Sequence, residues 1–285
     1  MASDSSRRDF GWEEHFSETS ITATNGQWKG VFDDNGGGYV FPLFQGFQLA
    51  LNTGKTGVRF PLDSSKYTGI SFLLKTSVAK ATVINWTHQV NWPDGTYAAY
   101  LDDLIYYTNT QQRTHDLNNQ WRCKFVDLSA NAGWTVEDVL GLRLDPSLNS
   151  PAGTEVIYDW VRVYDPASTG TIQLKWKTSG LSWLNSYQNG KVHIYIVSVG
   201  TGPNGAFLAR VDNTGSCNIP GAMLPPGNYQ FYLQLQSNKD SDNVLSTSGL
   251  SGTIVINGKP RVTLQKPSYT SGNDYATTSL LNKLS

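Results

Sequence analysis

The chain has 285 residues, of which 22 are basic and 23 acidic, so its net charge is −1. Aromatic residues make up 12% and charged residues 16% of the chain, which is too apolar for a disordered protein and indicates a packed core. No Lys/Arg run exceeds two residues, so the basic stripe that follows a phosphate backbone is missing and no nucleic-acid partner is expected. No apolar run approaches the ~18 residues of a membrane span.

Residues 1–8 are polar and predict a disordered start without a signal peptide. Between residues 9 and 165, apolar and polar residues alternate with a period of two in short runs bounded by Gly, Asn, Asp and Pro. The runs are "FQLALNT", "GVRFPL", "GISFLLKTS", "KATVINWTHQVNW", "TYAAYLDDLIYY", "WRCKFVDLS", "LGLRLDP" and "EVIYDWVRVYD". Eight such strands predict a double-sheet jelly-roll β-sandwich.

Three other features of this first half bear on its fold. "DDNGGGYV" (33–40) is Gly-rich but leads into no helix, so it predicts a loop at the sandwich rim and not a phosphate-binding loop. "GWTVEDVLGL" (133–142) predicts one short helical turn with Thr135 as its N-cap. Cys123 and Cys217 form no CxxC pair, so neither zinc nor dithiol chemistry is indicated, and free thiols are favoured over a disulfide.

A domain boundary is predicted after Tyr164, where "DPASTG" (165–170) is small, polar and turn-rich. A second strand series follows, with "TIQLKWKTS", "KVHIYIVSVG", "AFLARVDN", "GNYQFYLQLQS" and "GTIVING". Its length and strand spacing predict an immunoglobulin- or fibronectin-like β-sandwich over 170–265. Residues 266–285 are Ser/Thr/Asn-rich and are interpreted as a linker or the start of a further module. The predicted fold class is therefore all-β.

Three segments of the first half carry a family resemblance: "QWRCKFVDLS" (120–129), "AGWTVEDVLGLRLDP" (132–146) and "VIYDWVRVYD" (156–165). In this order and spacing they resemble the closing strands of the jelly-roll carbohydrate-binding-module superfamily, over about residues 9–165. Such modules are attached to secreted polysaccharide-degrading enzymes, and the second half resembles the immunoglobulin-like spacers of the same enzymes. The resemblance implies an extracellular or cell-surface protein, monomeric within a longer multimodular chain.

The resemblance also implies a structural calcium ion that joins the N-terminal segment to the last strand of the jelly roll. Glu13 and Glu14 are the candidate ligands in the first and Asp159 is the candidate in the second. In a strand, Asp159 would lie on the same face as apolar neighbours, so that its side chain is expected to be buried. A buried carboxylate needs a cation or a set of hydrogen bonds. The alternative is that Asp159 accepts hydrogen bonds from backbone amides or from an arginine such as Arg143.

Residues 81–107, which contain the aromatic segment Val83–Tyr107, are predicted to be a β-hairpin, because Pro93-Asp94-Gly95 is a turn signature between two alternating runs. Period two places Trp86 and Trp92 on a mostly apolar face, which is interpreted mainly as core, although both also stand as candidate sugar contacts. The other face is predicted to carry amides, tyrosines and a carboxylate: Asn85, Gln89, Asn91, Tyr97, Asp103 and Tyr107.

This second face suits a glycan groove. Amides and carboxylates provide donors and acceptors for the hydroxyls at the rim of a sugar, and aromatic rings suit the C–H groups on its face. Trp92, Tyr97 and Tyr107 are the predicted stacking residues, and Asn85, Gln89, Asn91 and Asp103 the predicted hydrogen-bonding residues. Four alternate strand positions span about 20 Å, which favours an extended polysaccharide over a single terminal sugar. An ordinary solvated sheet face is the alternative interpretation.

Catalysis is not indicated by any motif. The chain has five Glu and no Glu-x-Asp-x-Glu strand pattern, and Asp102 and Asp103 lie on opposite faces if they are in a strand. The functional prediction is therefore a non-catalytic module that targets an attached enzyme to a polysaccharide. The alternatives are a cell-surface adhesin or scaffold module and, less favoured, a sandwich-fold polysaccharide-active enzyme.

Overall fold

The computed structural model describes residues 13–17, 20–24, 27–35, 37–40, 62–88, 97–101, 105–106, 114–115, 117–139, 141–168, 170–177, 190–200, 205–236 and 244–257. These residues form nineteen strands, and the fold class is all-β, as predicted from the sequence. The predicted helical turn is present as α1 (Ala132–Thr135), but its N-cap is Asn131 and not Thr135. The Asn131 side chain accepts a hydrogen bond from the amide of Gly133, which an N-cap requires.

The strands of the first half are β1 (Glu13–Glu14), β2 (Thr22–Thr24), β3 (Gln27–Val31), β4 (Tyr39–Val40), β5 (Gly69–Thr76), β6 (Thr82–Thr87), β7 (Tyr97–Leu101), β8 (Ile105–Tyr106), β9 (Thr114–His115), β10 (Trp121–Asp127), β11 (Gly141–Asp145) and β12 (Glu155–Tyr164). Those of the second half are β13 (Thr171–Lys175), β14 (Lys191–Ser198), β15 (Ala206–Asp212), β16 (Ser216–Pro220), β17 (Gly227–Gln236), β18 (Val244–Thr247) and β19 (Ile254–Ile256).

The first half is a sandwich of two sheets. One sheet has five strands in the order β1-β4-β11-β6-β7, and we call it the front sheet. It packs on strands β10, β5, β12, β3 and β2 of a ten-stranded sheet, which we call the long sheet. The core between them contains alternate residues of both sheets, among them Phe72, Leu74, Trp86, Leu144 and Val156. The predicted hairpin is confirmed to the extent that β6 pairs antiparallel with β7.

Strand β5 is apolar almost throughout because both of its faces are covered. Ile70, Phe72 and Leu74 face the first core, and Leu73 belongs to a second core formed with strands that follow residue 170. A strand that is buried on both faces has no polar alternation. The run "GISFLLKT" of β5 therefore reflects a third layer behind the long sheet.

The two halves share this long sheet. It continues past β10 through a parallel bridge between Arg122 and Phe207, into β15, β14, β17 and the edge strands β18 and β19. A 3-10 turn at Gly221–Met223 packs on the back of β5 and β12. There the Ser71 hydroxyl donates to the Met223 carbonyl at 2.5 Å, and Arg162 Nε donates to the Ala222 carbonyl at 2.8 Å.

The described residues therefore show an intimate contact across the predicted boundary at 165–170. The limits of the two predicted domains, and their jelly-roll and immunoglobulin-like types, stay predictions. Within the described ranges, no helix has the length and hydropathy of a membrane span.

The two cysteines give a direct test of this packing. Both thiols are free; Cys123 is fully buried in the second core, and Cys217 is half-buried at its edge. Burial raises the pKa of both thiols, so the reactive thiolate is scarce at pH 8. We expect Ellman's reagent to label Cys217 slowly in the native protein and Cys123 only after unfolding in urea. Rapid labelling of two thiols in native protein, or labelling of none in urea without reductant, would contradict this arrangement.

Candidate functional site

The front sheet presents polar side chains on the face that points away from its core. In β11, Leu142 and Leu144 enter the core, so Arg143 and Asp145 lie on the outer face. Arg143 is directly opposite Asn85 of β6, so these two residues share that face. In β4, Val40 packs against the core and Tyr39 lies on the outer side.

A cleft of about 200 Å³ opens at this face. Its walls come from three separate segments and consist of His15, Gly37, Gly38, Tyr39, Arg143, Asp145, Ser147 and Leu148. Gly37 has φ +79°, and a Cβ there would lie 3.0 Å from the Ser147 carbonyl oxygen. Glycine is thus needed where the Gly-rich loop passes close to the chain after β11.

An ion pair forms the floor of the cleft. Arg143 Nε and Nη2 each donate to a different oxygen of Asp145 at 2.7 Å, a bidentate geometry that is stronger than a single hydrogen bond. The Asp145 side chain is only 9% exposed and the Arg143 side chain 26%. Asn85 Nδ2 adds a third donor to Asp145 at 3.3 Å. The carboxylate is therefore held by three hydrogen bonds and cannot rotate freely.

The ring of Tyr39 packs on this pair. The Arg143 guanidinium carbon lies 4.1 Å from the Tyr39 ring centroid, a cation–π distance. The His15 ring approaches the same tyrosine edge-on, with centroids 5.8 Å apart. The result is a half-buried aromatic ring whose position is fixed by a cation and by a second ring.

His15 also belongs to a cluster with two aspartates at the rim of the cleft. Its Nδ1 lies 2.6 Å from an oxygen of Asp34, and ligand atoms of His15, Asp33 and Asp34 all lie within 4.8 Å of one another. His15 has φ +62°, a backbone conformation that non-glycine residues rarely adopt. Imidazole and carboxylate groups at this spacing could hold a metal ion.

The residues predicted to bind calcium lie on strands of different sheets, and the calcium site stays a prediction. Glu13 and Glu14 form β1 of the front sheet, whereas Asp159 lies at a bulge of β12 in the long sheet. Asp159 accepts a hydrogen bond from Gln27 Nε2 at 3.5 Å, at the start of β3. The chain that follows β1 instead contacts Val31, at the other end of β3 and about 13 Å away. Arg143, named as one alternative partner of Asp159, donates to Asp145 instead, so that part of the alternative is wrong, and backbone amides as its partners stay a prediction.

Two of the predicted sugar-binding residues have described side chains. Asn85 is on the outer face, as predicted, but it is only 8% exposed and its amide donates to Asp145. Trp86 is 0% exposed, and its Nε1 donates to the Gly133 carbonyl at 2.8 Å. Trp86 is therefore a core residue, and its assignment as a sugar contact is wrong because no ligand can reach it.

The register of the hairpin corrects a third assignment. Tyr97 is opposite Trp86, and Ala98 is opposite Asn85. Residues directly opposite each other share a face of the sheet, so the position of Tyr97 is on the core side and not beside Asn85. The other predicted groove residues lie outside the described residues: Gln89, Asn91, Trp92, Asp103 and Tyr107.

Sequence reasoning did not find the residues of the cleft. One signal was present: in "GLRLDP" (141–146), the alternation of Leu with Arg143 and Asp145 places both charges on one outer face. The Gly-rich loop was correctly placed as a loop, although it leads into β4 at Tyr39–Val40. That this loop, the segment at His15 and β11 would meet required the three-dimensional fold.

Comparisons with known proteins leave the family open. No protein-family model matches the chain, and no curated protein matches it. Among solved structures, one similar chain is the glycoside hydrolase domain of Endo-D from Streptococcus pneumoniae R6, with 9% identity and a TM-score of 0.28 over 80% of this chain and 33% of that one. Another is a beta-1,2-glucanase from Parabacteroides distasonis, with 14% identity and a TM-score of 0.25 over 83% of this chain and 33% of that one. The chain spans about a third of the length of each.

Proposed function

We propose that the outer face of the front sheet binds a glycan chain at the cleft around Tyr39, and that the protein is a carbohydrate-binding module without catalytic activity. The fixed Tyr39–Arg143–Asp145 arrangement is the observation that carries the proposal. A sugar ring presents C–H groups to an aromatic face and hydroxyls to polar groups at the side, and the cleft offers both.

The rigidity of the cleft supports binding. The Arg143–Asp145 pair and the stacked Tyr39 ring lie on two neighbouring strands, and their rotamers are held by direct contacts. Binding to groups that are already ordered does not lose side-chain entropy again. A cleft of about 200 Å³ is smaller than a typical pocket for a drug-sized ligand, so it would hold one unit of a chain whose neighbours lie along the sheet.

The hydrogen bonds of the cleft favour binding over hydrolysis. Glycoside hydrolysis needs a pair of carboxyl groups, one of which gives a proton to the leaving oxygen. Both oxygens of Asp145 accept from Arg143, and Asp34 is paired with His15. These described carboxylates are engaged as acceptors, which suits positioning and not proton donation. By the family resemblance we also propose a secreted or cell-surface location, a targeting role for an attached enzyme, and a structural calcium ion.

Affinity electrophoresis across soluble xylans, glucans, mannans, xyloglucan and pectins tests the proposal. We expect at least one polymer to retard the protein. Tyr39→Ala should weaken the affinity measured by that retardation about two- to twelvefold, since an aromatic contact contributes about 0.5–1.5 kcal/mol. Parallel gels with EDTA test whether removal of the proposed calcium ion changes glycan binding. The ion is expected to stabilise the fold.

The matched control is Tyr67→Ala. Lys66 lies over the Tyr67 ring with its Nζ 5.3 Å from the centroid, so this is a second cation–aromatic pair, and it does not line the cleft. Tyr67→Ala should bind like the parent protein. No retardation by any polymer would remove the glycan proposal and favour the adhesin or scaffold alternative. Equal binding by the parent and Tyr39→Ala would move the site elsewhere on the protein.

A further inference from the structure

We infer that the glycan recognised at this cleft is uncharged, and that polymers of uronic acids are rejected there. This inference rests on the proposed glycan binding and adds the chemical class of the ligand. It is carried by the hydrogen bonds that Arg143 makes to Asp145 and by the carboxylates near the cleft. Both observations argue against the usual interpretation, in which an arginine in a sugar cleft binds a sugar carboxylate.

An arginine in a sugar-binding cleft is normally suited to a carboxylate, because the planar guanidinium presents a fork of N–H donors. In this cleft the side-on edge of the fork is already used. Nε and Nη2 donate side-on to the two oxygens of Asp145, and the plane of the group lies over the Tyr39 ring. A sugar carboxylate would have to displace a largely buried aspartate to gain the same geometry.

Carboxylates also lie in and beside the cleft. Asp145 lies on the floor, and Asp33 and Asp34 lie beside the lining residue His15. Among the described residues, the nearby cations are Arg143 and Lys80, whose Nζ is bound to the Asn149 carbonyl one residue beyond the lining residue Leu148. Three carboxylates therefore lie in or beside the cleft, and Asp34 is paired with His15. Each of these carboxylates would repel a sugar carboxylate that came within a few ångströms of it.

The hydrogen-bonding character of the cleft leads to the same conclusion. Carboxylates accept and do not donate, and the Ser147 hydroxyl donates to the Val78 carbonyl or pairs with Ser150. The site is therefore rich in acceptors. Sugar hydroxyls can donate to such a surface, whereas an ionised uronate replaces a hydroxyl donor with two further acceptors.

The test compares three forms of one polymer. A neutral hexose polymer that binds in the electrophoresis panel is oxidised at C6 to its uronate, and part of that product is methyl-esterified. The ester lacks the C6 hydroxyl but carries no charge, so it separates charge from loss of the hydroxyl. Calorimetry at low salt then gives the affinity of each form. We expect the uronate to bind at least about fivefold more weakly than the neutral polymer, and the ester to recover most of the loss.

Two variants locate the effect at this cleft. Asp34→Asn removes an exposed charge at the rim, and it is expected to reduce the difference in affinity, called the gap below, between the neutral and uronate forms. Added salt should reduce this difference as well. Asp63→Asn, a carboxylate that does not line the cleft, should leave the gap unchanged. Equal or tighter binding of the uronate, an ester as weak as the acid, or a gap that Asp34→Asn does not alter would overturn the inference while glycan binding stands. A protein that binds only anionic polymers in the first panel would do the same. Binding to no polymer would remove the proposed function and this inference with it.

Discussion

Trp86→Ala is expected to lower the free energy of unfolding by about 3–5 kcal/mol, the range for removing a large buried aromatic side chain. Trp86 is fully buried between the front and long sheets and meets Trp134 edge-on, with ring centroids 5.3 Å apart. Its Nε1 donates to the Gly133 carbonyl of α1, which would lose that donor. Since domains are stable by only about 5–15 kcal/mol, this loss would be a large share of the total. Urea denaturation monitored by circular dichroism measures it.

Trp86→Phe is the graded control for this prediction. Phenylalanine retains most of the apolar volume but cannot donate to Gly133, so we expect a loss well below that of alanine. A surface role for Trp86 predicts the reverse pattern, in which Trp86→Ala keeps full stability and loses only glycan binding. That outcome would contradict the buried position and restore Trp86 as a sugar contact.

The β6–β7 hairpin shows what the alternation of apolar and polar residues can predict and what it cannot. Alternation correctly assigned Ile84 and Trp86 to the core side and Asn85 to the outer side, because the period is a property of the strand itself. It could not place Tyr97, since the register between two strands is set by the turn and by packing, and a shift of one residue moves every side chain to the other face. The register observed puts Tyr97 opposite Trp86.

The packing contact between the two halves could not be predicted from the local sequence, for a related reason. The "DPASTG" segment has the composition of a domain boundary. Composition carries no information about which strands contact each other in the folded protein. The apolar run of β5 did contain a hint, because Leu73 interrupts the expected polar alternation. Its meaning became visible only when the turn at Gly221–Met223 was found on the back of that strand.

The cleft was missed because its parts are distant in sequence. Arg143 and Asp145 are two residues apart and their pairing could be inferred from parity, but Tyr39 and His15 join them only through the strand order β1-β4-β11. Most of the predicted groove followed from a single aromatic-rich segment, whereas the described site depends on neighbouring strands that are far apart along the chain.

The close approach of β5 and β12 leads to the second large effect. Gly69 begins β5 opposite Tyr164, and a Cβ built on Gly69 would overlap the Tyr164 ring. That ring is 2% exposed and belongs to the second core, so it has no free space into which to move. We expect Gly69→Ala to lower the free energy of unfolding by about 2–3 kcal/mol, near the upper end of the usual cost of overpacking. Urea denaturation again measures the change.

Two further variants make the cause of that loss testable. Gly170→Ala places a methyl group where no heavy atom lies within 4 Å, so it should cause no loss of stability. In a Tyr164→Leu background, the smaller side chain leaves room for the new Cβ, and Gly69→Ala should then have little additional effect. Such non-additivity is the sign of a direct contact. If Gly69→Ala behaves like Gly170→Ala, or has the same effect with and without the tyrosine ring, the ring does not lie on Gly69. Because Tyr164 packs in the core that joins the two halves, a confirmed coupling would show that the first residue of β5 supports the contact between them.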